Sequence, residues 1–299
     1  MINTFNDILQ TAKTLGPKTI AVAAAEDVEV LQAVQLARDY HIAKAILVGD
    51  EQKIRSIAEA NDISLRDMEI LSVADPAEAC LEAVRLVSEK KADILMKGMV
   101  DTKVILKAVL NKEIGLRTKN VLSHVVIAEI DHFDHLLYIS DAAMNIAPDL
   151  QTKKEIVENV VCVAHAMGNE KPNVAVVCAV EKVNDKMPAT LDAQELMKMN
   201  ESGEITGCTI AGPLALDNAV SVEAAKHKKI DHPVAGKADV LIMPNIEAGN
   251  ILYKSITFLA LGKVAGMIVG AKAPIVLTSR ADSDITKLYS IAAAVLMAK

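Results

Sequence analysis

Apolar and polar positions change period along this chain. Short runs of aliphatic, mostly β-branched residues alternate with longer stretches in which apolar positions recur every three to four residues. The first pattern is that of a buried strand and the second that of an amphipathic helix. In the first part, residues 20–24, 45–48, 70–73 and 94–96 read as strands, and 28–39, 51–60, 77–90 and 103–111 as the helices between them. Such alternation predicts parallel strands in a doubly wound α/β sheet. At 121–140 the rhythm changes, and two strands, 122–128 and 136–139, follow one another across a polar turn. This predicts an antiparallel pair or a boundary between domains. A second alternation runs through helix 152–167, strand 174–180, helix 192–199, strand 206–211, helix 218–227, strand 240–243, helix 250–261 and strand 267–269. Strand 274–277 and helix 284–297 close the chain. No linker rich in Ser, Gly or Pro separates the two alternations, so the expectation is two doubly wound α/β domains, closely coupled, with a cleft between them.

Composition narrows the class. A chain of 299 residues suggests about two domains. Apolar residues make up 52% of the sequence but aromatic ones only 2%, so Ala, Val, Ile, Leu and Met must build the core, a palette suited to parallel sheets covered by helices. The net charge of −7 argues against nucleic acid as a partner. No apolar run approaches the roughly 20 residues of a membrane span, and the start of the chain, Met1-Ile2-Asn3-Thr4, lacks the basic segment of a signal peptide. A cytoplasmic protein is expected. Cys80, Cys162, Cys178 and Cys208 lie far apart among apolar neighbours and read as packed free thiols rather than as disulfides or a zinc set.

Chemistry-bearing residues gather at the carboxyl ends of the expected strands, where open α/β sheets place ligands. After the last strand comes Thr278-Ser279-Arg280-Ala281-Asp282-Ser283-Asp284, just ahead of the closing helix. Free N–H groups at a helix start favour an anion, and an arginine there can hold phosphate through a planar two-pronged hydrogen bond. Capping by Ser279, Asp282 or Ser283 explains the same residues without a ligand. After strand 94–96 comes Lys97-Gly98-Met99-Val100-Asp101-Thr102, with a glycine for close backbone approach, a lysine for charge and Thr102 to cap the next helix. Phosphate-loop spacing is missing, so taken alone this is a turn with a cap. After strand 174–180 a polar loop carrying Lys182 and Lys186 has the length of a ligand flap, or of a solvated connection.

Other tempting residues carry less. The turn Asp131-His132-Phe133-Asp134-His135 has metal-type side chains, but nothing nearby completes a coordination set, and no metal is assigned. His165 on an apolar helix face and His227 near a basic helix end read as structural. Gly262, Gly266 and Gly270 precede a strand instead of linking a strand to a helix, so a dinucleotide fingerprint is unsupported.

Together the blocks resemble one family. Lys97-Gly98 with Thr102, Gly115-Leu116-Arg117 followed by Leu122-Ser123-His124-Val125, and the segment from Ser140-Asp141 through Asn145 to Pro148 are similar to blocks of the phosphate acetyl/butyryltransferases, most of all to their butyryl branch. So are Glu181-Lys182-Val183-Asn184, Gly212-Pro213-Leu214 with Asp217, residues 234–239 with Pro244, Gly249-Asn250 with Tyr253-Lys254, and residues 278–283. The resemblance covers almost the whole chain. It implies reversible transfer of a short acyl group, butyryl above all, between coenzyme A and inorganic phosphate. Both are then substrates, with no bound cofactor; acetyl transfer is the alternative.

The same resemblance implies a fold like that of the isocitrate and isopropylmalate dehydrogenases, with one domain made of 1–141 and 271–299 and the other of 142–270. A homo-oligomer is expected. For the site it implies Arg280 on phosphate and developing charge, and Ser279 orienting the acyl group or thiol. Lys97, Thr102 and Arg117 are expected around phosphate or coenzyme, with Asn250 and Lys254 across the cleft. The acetyl branch carries its base aspartate seven residues after that serine, where this chain has Thr286. Asp282 and Asp284 are the local substitutes, Asp282 as the base and Asp284 beside the substrates. Loss of the base would leave a non-catalytic acyl-CoA-binding module; a dinucleotide-binding dehydrogenase relative is the third reading.

Overall fold

A computed structural model describes residues 2–279 and 282–298. The chain divides into a terminal unit, Phe5–Asn120 with Ala265–Lys299, and a central unit, Val121–Val264 with the start of the chain through Thr4. The elements run α1 (Phe5–Leu15), β1 (Lys18–Ala23), α2 (Val28–Asp39), β2 (Ala43–Gly49), α3 (Glu51–Ala60), β3 (Glu69–Ser72), α4 (Pro76–Ser88), β4 (Ile94–Lys97) and α5 (Thr102–Val109). Next come β5 (Ser123–Glu129), β6 (Leu137–Ser140), α6 (Leu150–Ala166), β7 (Asn173–Val177), α7 (Pro188–Glu201), β8 (Thr209–Leu214), α8 (Leu216–Val220), α9 (Val222–His227), β9 (Val240–Ile242) and α10 (Ile246–Phe258). The chain then closes with β10 (Lys263–Val269), β11 (Ile275–Val276) and α11 (Asp284–Met297).

Caps in the sequence account for where most helices begin. Asp27, Asp50, Asp75, Asp149, Asn245 and Ser283 each accept a backbone N–H from the first turn of α2, α3, α4, α6, α10 and α11. Helix α1 was not among the expected elements. It buries only Phe5, Ile8 and Ala12, and Phe5 stacks on Tyr289 of α11 with ring centroids 4.3 Å apart. The single helix expected at 218–227 is two, because Ser221 is extended and its hydroxyl accepts from Ala224 N–H, starting α9 afresh.

In the terminal unit the strand order is β3-β2-β1-β4-β11-β10, parallel throughout except for β10, which runs antiparallel to β11. The chain steps outward from β1 through β2 to β3 and then returns to the other side of β1. Right-handed crossovers therefore put α2 and α3 on one face and α4 on the other, and the strand order reverses between β1 and β4. Ile20, Leu47, Ile94, Leu95 and Met96 are fully buried in this sheet.

The central unit has the order β5-β6-β9-β7-β8. Strands β5 and β6 form the expected antiparallel pair, with Val126 opposite Ile139. Strand β6 also pairs in parallel with β9, Ile139 against Leu241, and β9 with β7 and β7 with β8. Both strands of the hairpin thus belong to the central unit, and the divisions fall at 120/121 and 264/265 instead of at 141/142 and 270/271. The cysteine expectation needs one correction: Cys80, Cys178 and Cys208 are buried, but Cys162 is exposed on α6. Among the described residues, no helix is long and apolar enough to cross a membrane.

Candidate active site

The loops after β1, β4 and β11 leave the carboxyl edge of the terminal sheet side by side. Strands β4 and β11 are neighbours in parallel register, Leu95 with Ile275 and Met96 with Val276. Lys97 and Ser279 therefore emerge at one edge, next to the β1/β4 reversal where open sheets bind ligands.

The loop after β4 lies flat against the end of β1. Gly98 N–H donates to the Ala23 carbonyl at 2.8 Å and Met99 N–H to the Ala24 carbonyl at 2.7 Å. A Cβ at position 98 would stand 2.1 Å from the Ala24 carbonyl oxygen, which is why a glycine is needed. Lys97 is 5% exposed, and its Nζ donates to the carbonyls of Gly98 at 3.1 Å and Val100 at 3.3 Å. A positive charge is thus held beneath the loop. The Cys80 thiol nearby is pushed up to about 11 by burial, with the Lys97 charge pulling the other way. Thr102 is not a cap: the cap position of α5 is Asp101, and Thr102 is the first helical residue.

After β11, Ser279 and Asp282 are bonded to each other twice. Ser279 N–H donates to Asp282 Oδ2 at 2.7 Å, and Asp282 N–H donates back to the Ser279 carbonyl at 3.1 Å. Asp282 is only 7% exposed. Ser283 caps α11, its Oγ accepting from Thr286 N–H at 3.2 Å, and Asp284 Oδ1 accepts from Ile285 N–H at 2.9 Å. Of the three residues offered by the sequence as caps, only Ser283 performs that role. Asp282 closes the turn, and Ser279 presents its main chain to it. Arg280 lies outside the described residues.

The remaining candidates are elsewhere. Arg117 is exposed, and its loop is tied to the turn before β11: Leu116 carbonyl accepts from Lys272 N–H at 2.8 Å, and Thr118 Oγ1 donates to the Gly270 carbonyl at 2.5 Å. This is the end of β11 away from Ser279. Asn250 and Lys254 sit on α10 of the central unit, where Lys254 Nζ lies 4.2 Å from the Tyr253 ring centroid. Asn250 Nδ2 donates to the Ala142 carbonyl at 3.1 Å.

That contact leads to a turn in the Ser140–Pro148 segment, to whose side chains the family resemblance gave no role. After β6, Asp141 is 3% exposed, and its carboxylate accepts from the N–H groups of Ala143 at 2.8 Å, Met144 at 2.9 Å and Asn145 at 3.2 Å. Asn145 Nδ2 adds a fourth bond at 2.6 Å. A Cβ on Gly249 would stand 2.2 Å from the Asp141 carbonyl oxygen, so α10 packs directly on this turn. An aspartate after a strand, with an asparagine four residues on, was the available signal. In the polar loop after β7, residues 180–186 line a cavity of about 600 Å³, and Glu181 pairs with Lys228 at 3.3 Å. The described residues contain no group of three or more His, Cys, Asp or Glu side chains that could hold a metal.

The edge at Lys97 and Ser279 thus combines a buried cation, a serine held by a buried carboxylate and a capped helix start, features suited to an anion beside a polar nucleophile or leaving group. The family model described as phosphate acetyl/butaryl transferase matches residues 4–79 and 76–295. Phosphate butyryltransferase of Clostridium acetobutylicum is 52% identical over 298 residues, covering 100% of this chain and 99% of that one. Phosphate acetyltransferase of Thermotoga maritima is 47% identical over 291 residues, 97% and 98% of the two chains. A branched-chain phosphotransacylase from Enterococcus faecalis, solved by crystallography, matches with a TM-score of 0.83 at 36% identity over 94% of this chain and 98% of that one. Sequence and fold agree over nearly the full length, and the chain belongs to the phosphate acetyl/butaryl transferase family.

Proposed function

We propose that the chain is a phosphate butyryltransferase, moving a short acyl group reversibly between coenzyme A and inorganic phosphate. The observation that carries this reading is the 52% identity with the clostridial phosphate butyryltransferase across the full length of both chains. A phosphate oxygen attacks the thioester carbonyl carbon, the carbon–sulfur bond breaks, and the departing thiolate takes up a proton. The products are acyl phosphate and coenzyme A. No oxidation state changes, and both coenzyme A and phosphate serve as substrates.

Such a transfer needs the two substrates aligned, the carbonyl charge stabilised and the thiol proton managed. Ser279 orients the acyl group or thiol, Arg280 holds phosphate and the developing charge, and Asp282 is the carboxylate already bonded to the Ser279 main chain. Lys97 adds positive potential at the same edge. Thr102, Arg117, Asp284, Asn250 and Lys254 complete the proposed contacts to phosphate and coenzyme. The enzyme works in the cytoplasm as a homo-oligomer. Acetyl transfer is the second reading, supported by the 47% identity with the acetyltransferase of Thermotoga maritima.

The test is phosphate-dependent thiol release from a series of C2 to C6 acyl-CoA substrates. Butyryl-CoA is expected to turn over best, with its neighbours close behind, because one methylene in an apolar pocket discriminates by only about 1–3 kcal/mol. A wide preference for acetyl-CoA would establish the acetyl reading instead. Binding of acyl-CoA without thiol release would overturn both.

A further inference from the structure

Lys287 has no part in the transfer as described, yet it sits directly under the Ser279 turn. It is the fourth residue of α11, 3% exposed, and its Nζ donates to the carbonyl oxygen of Asp282. That is its one side-chain hydrogen bond among the described residues, and no ion pair there includes it. This is a costly place for an ammonium. Lysine is seldom so fully buried without a charged partner, desolvating the cation is unfavourable, and a helix start repels positive charge. An aliphatic side chain would fill the same space without these penalties.

The residue it grips is the one that matters for the site. Asp282 and Ser279 exchange two hydrogen bonds, from Ser279 N–H to Oδ2 at 2.7 Å and from Asp282 N–H to the Ser279 carbonyl at 3.1 Å. Whatever fixes the Asp282 peptide fixes Ser279. We propose that Lys287 is a positioning residue of the acyl transfer, anchoring the Ser279–Asp282 turn through the Asp282 carbonyl. The inference rests on the acyltransferase reading of that turn.

Two variants of the full chain test it, with butyryl-CoA and phosphate as substrates. Lys287→Met keeps an unbranched side chain of similar length but removes the donor and the charge; Lys287→Arg keeps both. Replacing a buried charge by an apolar group is often neutral or stabilising, so the Met variant should unfold at the parent temperature or above it. Its kcat should nevertheless fall roughly 10- to 100-fold, the order expected when a reacting group is misplaced by a fraction of its length, with KM for butyryl-CoA changing much less. The Arg variant should recover part of the loss. Amide hydrogen exchange across residues 277–285 should be faster in the Met variant and close to parental in the Arg variant.

Parent-like kcat or parent-like exchange in a folded Met variant overturns the proposal. If Lys287→Met does not fold, Lys287→Gln takes its place under the same criteria, and failure of both neutral variants to fold makes Lys287 a stability residue instead. Should the parent chain itself release no thiol, the acyltransferase reading fails, while hydrogen exchange still decides whether Lys287 holds the turn.

Discussion

The carboxylates of Asp282 and Asp284 accept hydrogen bonds from different places. Asp282 Oδ2 takes the Ser279 N–H inside the turn, and Asp284 Oδ1 takes the Ile285 N–H at the start of α11. An asparagine keeps a carbonyl oxygen for either bond while removing the charge and the basic oxygen, so the pair Asp282→Asn and Asp284→Asn separates proton transfer from architecture. With Asp282 as the base, single-turnover formation of butyryl-CoA from butyryl phosphate and coenzyme A should slow by roughly 10²–10⁴-fold in the Asp282 variant. The Asp284 variant, which loses a substrate contact and not the base, should keep its single-turnover rate at saturating substrate, raise KM for coenzyme A, and lose about 0.3–1 kcal/mol of stability, the worth of a negative charge at a helix start. An unimpaired Asp282 variant would mean that the proton is taken elsewhere, for instance by the substrate phosphate. The motif made both residues legible as polar groups at a helix start. It could not assign their tasks, because capping and turn closure use the same side chains and differ only in which N–H each one meets.

Among the elements, the loop after β4 is the most constrained. All three atoms nearest to a Cβ at Gly98 are main-chain atoms of Ala23 and Ala24, at 2.1, 2.8 and 2.8 Å, so no side-chain rotation can relieve the contact. Gly98→Ala should cost about 1–3 kcal/mol, as overpacking does, and should lower activity by displacing the Lys97 loop from the β1 end. Urea unfolding measures the first and phosphate-dependent thiol release the second; a loss of stability below about 0.5 kcal/mol would show that the strands can part. The expected spans 28–39, 51–60 and 284–297 coincide with α2, α3 and α11, whereas α10, although capped by Asn245, was expected at 250–261 and runs from Ile246 to Phe258, because apolar spacing alone does not mark where the first turn begins. Helix α1 escaped because what holds it is packing on α11, and α8 and α9 were merged because the break is a hydrogen bond made by Ser221 rather than a Gly or Pro.

Over the whole molecule, buried thiols set the alkaline limit. Burial raises Cys80, Cys178 and Cys208 from 9.0 to about 11, and it pushes the Tyr138 hydroxyl upward as well. Between pH 9.0 and about 11 the unfolded chain has released thiol protons that the folded chain still holds. Their stabilisation is complete below that window and declines through it, by about 1.4 kcal/mol per pH unit for each thiol. With a reductant present, the urea midpoint should therefore fall between pH 8 and pH 10; a midpoint that holds or rises would contradict the burial of these groups. Sequence alone determined the α/β alternation, the aliphatic core and the order of the family blocks, because periods and motifs are written within a few neighbouring residues. Tertiary structure alone decided that the 123–140 hairpin belongs to the central unit, through the pairing of Ile139 with Leu241. It also decided that Asn250 holds the Ala142 carbonyl, and that Lys287 lies buried beneath Asp282. The first two unite residues far apart in the chain, and all three depend on how strands are ordered and helices laid against them, which no local pattern encodes.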